Sequence, residues 1–330
     1  MTARGSAGSE GNESTMGQNA VTADAGRRLR LALAAIWLFD AALQYQPFMF
    51  TKAFSRMLAG SAQGNPPVIA GPITWSAAII GQHPAVANAV FATVQLLLAL
   101  GIAWRPTAKF TLAASVAWSA GVWWLGEGLG GVLTGNASPV NGAPGAVILY
   151  ALLAVLLWPA DGDASAWSVA SRPLGRLPAR LLWLVLWGSL AYLALQAASS
   201  APQGLHDMIS SMASGEPGWI ASIDHGAAAV LAHHSQQASA VLAVICEIIA
   251  AGIFLPAPAA RVAVILAVAV AAAIWVIGEN FGAVFTGSAT DPNSGLLLGL
   301  LAAAYWPARS TVTAPVSGPP GRVPAAATGV

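Results

Sequence analysis

So few side chains in this sequence can do chemistry that each one matters. Asp40 and Glu247 lie midway along apolar runs. Trp37 and Gln44 share the helical face of Asp40 at i−3 and i+4, and Cys246 stands beside Glu247. An ionisable group inside such a run is costly unless it is neutral or tightly paired, and a group held that way can take up and release protons. The plainer reading is a hydrogen bond from these acids to Asn88 or Gln95 that fixes helix packing.

A second pair of acids lies in a repeated turn. The segment Trp123 to Gly135 aligns without a gap on Trp275 to Gly287, and Trp, Gly, Glu, Gly, Val, Thr and Gly recur in order. Glu127 and Glu279 occupy the same place in the two copies. A carboxylate in a turn that dips toward the bilayer would be partly desolvated and its pKa raised, which suits cation binding, proton uptake or a hold on a cofactor's polar group. The same residues could instead cap backbone N–H groups of the turn, a structural duty that duplication would also preserve.

Imidazoles form the third set. His83 and His233 precede equivalent apolar runs, and His234, His225 with Asp224, and His206 with Asp207 fall in one outer segment. Imidazole with carboxylate is a ligand set for zinc or copper, and paired helix-end histidines are one for haem. The spacing matches no compact metal motif, so the bland reading is a scatter of interfacial polar residues, with His83, His225, His233 and His234 as the ligand candidates. The lone Cys246 rules out an intrachain disulfide and a multi-cysteine metal site. Phosphate-binding loops are missing, because no Gly-Lys-Ser/Thr occurs.

The elements that must position these groups are apolar helices. Of 330 residues, 56% are hydrophobic and 8% charged, against roughly 25% charged in a soluble domain. Net charge is +1 with no basic run, which excludes nucleic acid as a partner and leaves the lipid bilayer. A bilayer core of ~30 Å takes about 20 apolar residues per helix. Eight segments approach this: Leu31 to Phe48, Ala85 to Trp104, Phe110 to Gly126, Ala143 to Trp158, Leu181 to Ala198, Ala238 to Leu255, Val262 to Gly278 and Pro292 to Trp306. The fourth and eighth are short. A further run, Val68 to Ile80, contains Gly71-Pro72 and reads as an interfacial or re-entrant helix.

Positive charges orient the chain. Arg27, Arg28, Arg30, Arg105, Lys109, Arg172, Arg176, Arg180, Arg261 and Arg309 fall on one side if the N-terminus is cytoplasmic, with only Lys52 and Arg56 opposite. Both termini are then cytoplasmic, and the histidines and the Gly-Glu turns lie outside. Constant spacing also relates Arg30 to Arg180, Trp37 to Trp187, Gln46 to Gln196 and Trp158-Pro159 to Trp306-Pro307.

The expected fold is therefore an all-α membrane protein of eight transmembrane helices in two tandem, parallel-related four-helix repeats. Its expected parts are a disordered tail over 1–27, repeats over 28–159 and 180–307, a cytoplasmic linker over 160–179, and a disordered tail over 308–330. In register, Asp40 falls over Leu190, and Glu247 falls near Gln95 or Leu96, so a site between the halves would be asymmetric.

Each half resembles the four-span DoxX-like membrane proteins. The likeness rests on an Arg-led first span with a midway polar residue, the exit Gln44 to Phe50, a long outer loop, and a second span carrying Gln95 to Gly101 or Glu247 to Gly252 before a basic inner turn. It covers about residues 28–159 and 180–307. The resemblance implies a redox-associated, quinone-interacting component of the plasma membrane, with membrane or redox partner subunits and with Asp40, Gln95 and Glu247 as the counterparts of its polar positions, and the Ala/Gly-rich composition points to a bacterial source. The chain lacks a redox cysteine pair. Two other readings stand beside this one: a permease or ion- and proton-handling protein using Glu127, Glu279 and the outer histidines as an access site, and a non-catalytic assembly subunit. The first requires an apolar cleft, open to lipid, that reaches the buried acids. The second requires a polar path continuing past them to the inner face.

Overall fold

The computed structural model describes residues 7–160 and 166–308, with side chains from residue 23 onward. The expected tail from 309 and the linker residues 161–165 lie outside the described residues. Every described element is helical. The helices are α1 (Ala7–Leu43), α2 (Lys52–Gly60), α3 (Pro67–Gln82), α4 (Pro84–Ala103), α5 (Ala108–Leu125), α6 (Ala146–Leu156), α7 (Ser171–Leu174), α8 (Arg176–Ser200), α9 (Gly204–Met212), α10 (Gly218–Leu231), α11 (Ser235–Gly252), α12 (Ala257–Ala273) and α13 (Asn293–Ala304).

Local sequence sets many of these boundaries. Pro47 cannot donate to a helical ladder, so α1 stops at Leu43, short of the expected Phe48, and a single 3₁₀ turn follows. Thr51 then caps α2 through its hydroxyl, which accepts from the Ala53 N–H at 3.2 Å. Pro67 and Pro84 stand at the starts of α3 and α4, where a missing N–H costs nothing. The run Val68 to Ile80 accordingly lies within α3, a helix of 16 residues that keeps Pro72 in its interior. At the N-terminus the backbone is already helical at Ala7, within the segment whose Gly/Ser/Thr composition reads as a tail. An i,i+4 ion pair, Arg28 to Asp24 at 2.6 Å, supports its last turns.

Four helices are long and apolar enough to cross a membrane by length and composition: Pro84–Ala103, Arg176–Ser200, Ser235–Gly252 and the stretch Ala257–Gly278 that extends α12 through a π-helical turn. The 18-residue window of α4 has a mean hydropathy of 2.0, yet only 28% of it is buried. Its outward face carries Val86, Val90, Leu97 and Leu100, all exposed, and α8 and α12 present similar faces. Water would not tolerate so continuous an apolar surface, and hydrocarbon would.

The two expected short spans are shorter still. Helices α6 and α13 have 11 and 12 residues, about 16–18 Å at 1.5 Å per residue, which is roughly half a bilayer core. Their sequence is apolar all round because they are buried all round. They pack against each other at the centre, α6 against α5 and α13 against α12, while α1 lies along α4 and α8 along α11. One core joins all of these helices, anchored by Trp37, Tyr150, Trp183, Trp187 and Tyr305.

Candidate functional site

Asp40 lies in the last turn of α1, one turn before the chain breaks at Leu43. It is 1% exposed, and its Oδ2 accepts a hydrogen bond from the Tyr150 hydroxyl of α6 at 2.5 Å. The Trp37 ring, one turn earlier on α1, packs on Tyr150 with ring centroids 4.3 Å apart. Neither Asn88 nor Gln95 meets Asp40. Asn88 instead donates from Nδ2 to the backbone oxygen of Gln44 at 2.6 Å and so fixes the frayed end of α1.

Beyond this pair opens a cleft of about 600 Å³. Trp37, Phe54, Trp75, Phe91 and Trp118 supply aromatic walls, and α2 and α3 add Met57, Leu58, Ile79 and Ile80. Besides Ser61 and Ser76, its polar groups are few and converge from distant segments: Asp40, Gln44, Gln95, Glu127, Tyr150, Thr290 and Asp291. The last two come from the loop before α13, in the second half of the chain. The Gln46 amide holds that loop by donating to the Ala289 oxygen at 3.1 Å, and Gln44 reaches the Thr290 oxygen at 3.5 Å. Among the described residues no basic side chain lines the cleft.

Four polar atoms on cleft-lining residues are buried and have no hydrogen-bond partner: Trp37 Nε1, Asp40 Oδ1, Gln44 Oε1 and Gln95 Oε1. Buried polar atoms are almost always paired, because leaving one unpaired costs about 1–3 kcal/mol. Four of them gather on this one apolar cleft, while Trp187 Nε1, in the second half, is unpartnered as well.

The two Gly-Glu turns have a common build. Gly128, Leu129, Gly130 and Gly131 have φ of 59°, 58°, 63° and 69°, and Asn280, Phe281, Gly282 and Ala283 have 48°, 58°, 78° and 52°. Four successive left-handed residues reverse the chain sharply in each copy. The preceding indole spans the turn: Trp123 Nε1 donates to the Pro144 oxygen at 2.7 Å and Trp275 Nε1 to the Pro292 oxygen at 2.8 Å. Replacing either indole by phenyl, Trp123→Phe or Trp275→Phe, leaves a carbonyl unpaired and is expected to cost about 1–2 kcal/mol. Thermal unfolding in detergent measures it, and an unchanged midpoint in both variants would mean that the indoles do not hold the turns.

The two glutamates cap helix N-termini, though of the helix that follows rather than of the turn itself. Glu127 accepts from the Val147 N–H at 3.2 and 3.3 Å, at the start of α6. Glu279 accepts from the Ser294 N–H at 3.2 Å, from the Gly295 N–H at 2.8 Å and from the Ser294 hydroxyl, at the start of α13. Each carboxylate thus satisfies N–H groups that a helix buries without partners, at the end where its dipole favours negative charge. The pair is not equivalent in exposure. Glu279 is 2% exposed and closed off, whereas Glu127 is half-buried and lines the cleft. Burial pushes the Glu279 carboxyl up to about 7, against the lowering effect of its hydrogen bonds. Burial, with Asp291 nearby, holds Glu127 well above the usual carboxylate range, and burial also raises Asp291.

Of the residues singled out by sequence, Asp40, Gln44, Gln95 and Glu127 come together in the cleft. Glu279 lies behind it. Glu247 does not join: it is exposed on the outward face of α11 beside Val244 and Ile248, while Cys246 is buried. The expectation of a buried Glu247 fails because one residue turns a helix by about 100°. The histidines are also dispersed. His83 sits between α3 and α4, His225 on α10, and His233 and His234 between α10 and α11, all exposed, while His206 pairs with Asp207 at 2.9 Å. Among the described residues no group of three or more His, Cys, Asp or Glu is placed to hold a metal ion.

Tyr150 and Asp291 are the cleft residues that sequence reasoning missed. Tyr150 had a signal, as the sole polar side chain in the run Ala146–Leu156. Asp291 had none, since Asp-Pro-Asn before a helix reads as a turn. Its carboxylate does serve that turn, accepting from the Asn293 N–H and the Thr290 hydroxyl, each at 2.8 Å.

Among the described residues the chain is thus all-helical, with apolar helices suited to a bilayer and an apolar cleft with a few polar groups near the end of α1. No family model, curated protein or solved structure matches it.

Proposed function

We propose that this is a DoxX-like integral membrane protein of the bacterial plasma membrane, which binds a lipid-soluble ring compound of the quinone–quinol class in the cleft beside Asp40. The observation that carries this reading is the set of unpartnered polar atoms, one N–H donor and three oxygen acceptors, set among aromatic walls. Binding sites for small apolar ligands have this composition: mostly hydrophobic surface with a few convergent polar groups. A quinol hydroxyl suits the free Asp40 oxygen, and a ring carbonyl suits the Trp37 N–H.

The same reading takes the fold as two tandem, parallel-related repeats with both termini cytoplasmic. The matching left-handed turns, indole bridges and glutamate caps support the duplication. The gathering of Arg27, Arg105 and Arg172 around Arg30 at one end of the bundle supports the orientation. Asp40 lies about 15 Å along α1 from Arg30, near the middle of a ~30 Å core. Helices α6 and α13 then enter as half-length helices, their N-termini capped by Glu127 and Glu279. Leu190 and Leu298, both fully buried, stand where the first half has Asp40 and Tyr150, so one half keeps a site and the other a filled core.

One observation favours a second reading. Among the described residues three carboxylates and no basic group line the cleft, which also suits a lipophilic cation handled by a proton-linked permease. Quenching of tryptophan fluorescence separates the two, because Trp37, Trp75 and Trp118 line the walls. A short-chain quinone is expected to quench saturably, and Trp37→Phe, which removes the N–H offered to a ring carbonyl, to weaken its binding by about fivefold to tenfold. Saturable binding of tetraphenylphosphonium with none of quinone would establish the second reading instead. Binding of neither would leave the cleft without a ligand of either class.

A further inference from the structure

A second cavity, of about 450 Å³, opens at the opposite end of the first half, between the middle of α1, the end of α4, the start of α5 and Pro159 beyond α6. Leu31, Ile102 and Pro159 form its apolar floor, and Arg27, Arg30 and Arg105 line it. Arg172, on the short α7 of the linker, is close enough to act on Arg30 as well. Guanidinium groups stay charged under all ordinary conditions, so this cluster cannot relieve its repulsion by releasing protons. Among the described residues, none of Arg27, Arg30, Arg105 and Arg172 forms an ion pair: the one carboxylate at the cavity, Asp24, is taken by Arg28 at 2.6 Å. Among the described residues Arg30 has a single long hydrogen bond, donated to the Leu157 oxygen at 3.4 Å, and it lines the cavity.

The second half treats its arginines differently. Arg180 lies over the Trp167 ring at 4.9 Å and over Phe254 at 5.7 Å, and Arg176 over Trp167 at 5.7 Å. Aromatic faces there offset cationic charge. The first half offers its arginines no ring and leaves a cavity in their place.

We infer that this cavity is a binding site for a phosphate-bearing anion, held by Arg27, Arg30 and Arg105 and steadied by Arg172. Guanidinium forks match phosphate oxygens in geometry as well as charge. Basic pockets between helices at the ends of membrane bundles take phospholipid headgroups in this way. The apolar floor suits the first carbons of acyl chains, so an anionic phospholipid and free phosphate are the two sources of the shared chemistry. The site is independent of what the cleft at Asp40 holds. Because Arg172 belongs to the linker, the bound anion ties the linker to the first half.

The test uses the full chain in a neutral detergent and native mass spectrometry, with phosphatidylglycerol, phosphatidylcholine and inorganic phosphate as separate probes. Phosphatidylglycerol is expected to bind in preference to phosphatidylcholine. The double variant Arg27→Gln/Arg105→Gln, altered at two exposed positions, is expected to bind it about thirtyfold more weakly, at roughly tenfold or less per arginine. Arg30→Lys, which keeps the charge and loses the fork, should fall between the two. Competition by millimolar inorganic phosphate would assign the site to free phosphate, and its failure would assign it to the lipid. Equal retention of the two lipids, with no binding of phosphate, would overturn the proposal. So would wild-type affinity for phosphatidylglycerol in the double variant, whose folding a thermal melt checks separately.

Discussion

Gly282→Ala and Gly130→Ala are each expected to destabilise the protein by about 3 kcal/mol or more, enough to deplete the folded form at growth temperature. Two costs add. The residues have φ of 78° and 63°, where an L side chain costs about 1–2 kcal/mol. A new Cβ would also meet immovable backbone: at Gly282 it would lie 2.5 Å from the Pro292 carbonyl carbon, and at Gly130 it would overlap the Pro144 carbonyl oxygen. These are the prolines that the Trp275 and Trp123 indoles grip, so the turn cannot open without loss of that bond. Ala283→Gly is the matching control. Ala283 is left-handed with φ of 52° where the first copy has Gly131, so glycine there should stabilise by up to about 1 kcal/mol. Thermal unfolding in detergent followed by tryptophan fluorescence measures all three, and the same sign of shift for Ala283→Gly and Gly282→Ala would refute the conformational argument.

The recurrence of Trp, Gly, Glu and Gly made these turns legible in sequence, and the two turns share left-handed backbone, an indole bond and a carboxylate cap. What the recurrence could not reveal was the partner of each glutamate. Glu127 and Glu279 reach across the turn to α6 and α13, twenty and fifteen residues on, and no local pattern reports a contact of that range. Asp40, Gln44 and Gln95 stood out because a polar residue in an apolar run has few innocent explanations. Tyr150 was overlooked because a tyrosine in such a run passes as hydrophobic, although its hydroxyl is what Asp40 binds. Glu247 shows the converse error. In α11 the buried set Ser239, Ala243, Cys246 and Ile249 defines one face, but the opposite face is equally apolar because it too avoids water. Where lipid replaces water, amphipathic contrast disappears, and hydropathy no longer tells the inside of a bundle from its outside. The lengths of α6 and α13 were uncertain for a related reason: a buried half-length helix and a short span have the same composition.

Glu279→Ala is expected to cost about 3–5 kcal/mol, more than the loss of any other single carboxylate. Three donors, the Ser294 and Gly295 N–H groups and the Ser294 hydroxyl, depend on it, and each buried donor left unpaired costs about 1–3 kcal/mol. No water replaces it easily, since the residue is 2% exposed. Glu127→Ala should cost less, because its half-buried site opens on the cleft, where water can pair the Val147 N–H. The pH dependence is a second signature. With its carboxyl raised from 4.5 to about 7, Glu279 in the folded chain holds a proton that the unfolded chain has already lost between those values. Its contribution to stability is therefore full below about 4.5, declines as pH rises, and levels off above about 7. Glu127 and Asp291 are raised as well and add slopes of the same sign, so the informative quantity is the difference between wild type and Glu279→Gln. That difference should change between pH 4.5 and 7 and be constant above it. A difference that is flat across the whole range would mean that Glu279 is ionised throughout, and that the N-terminus of α13 is capped by a full negative charge.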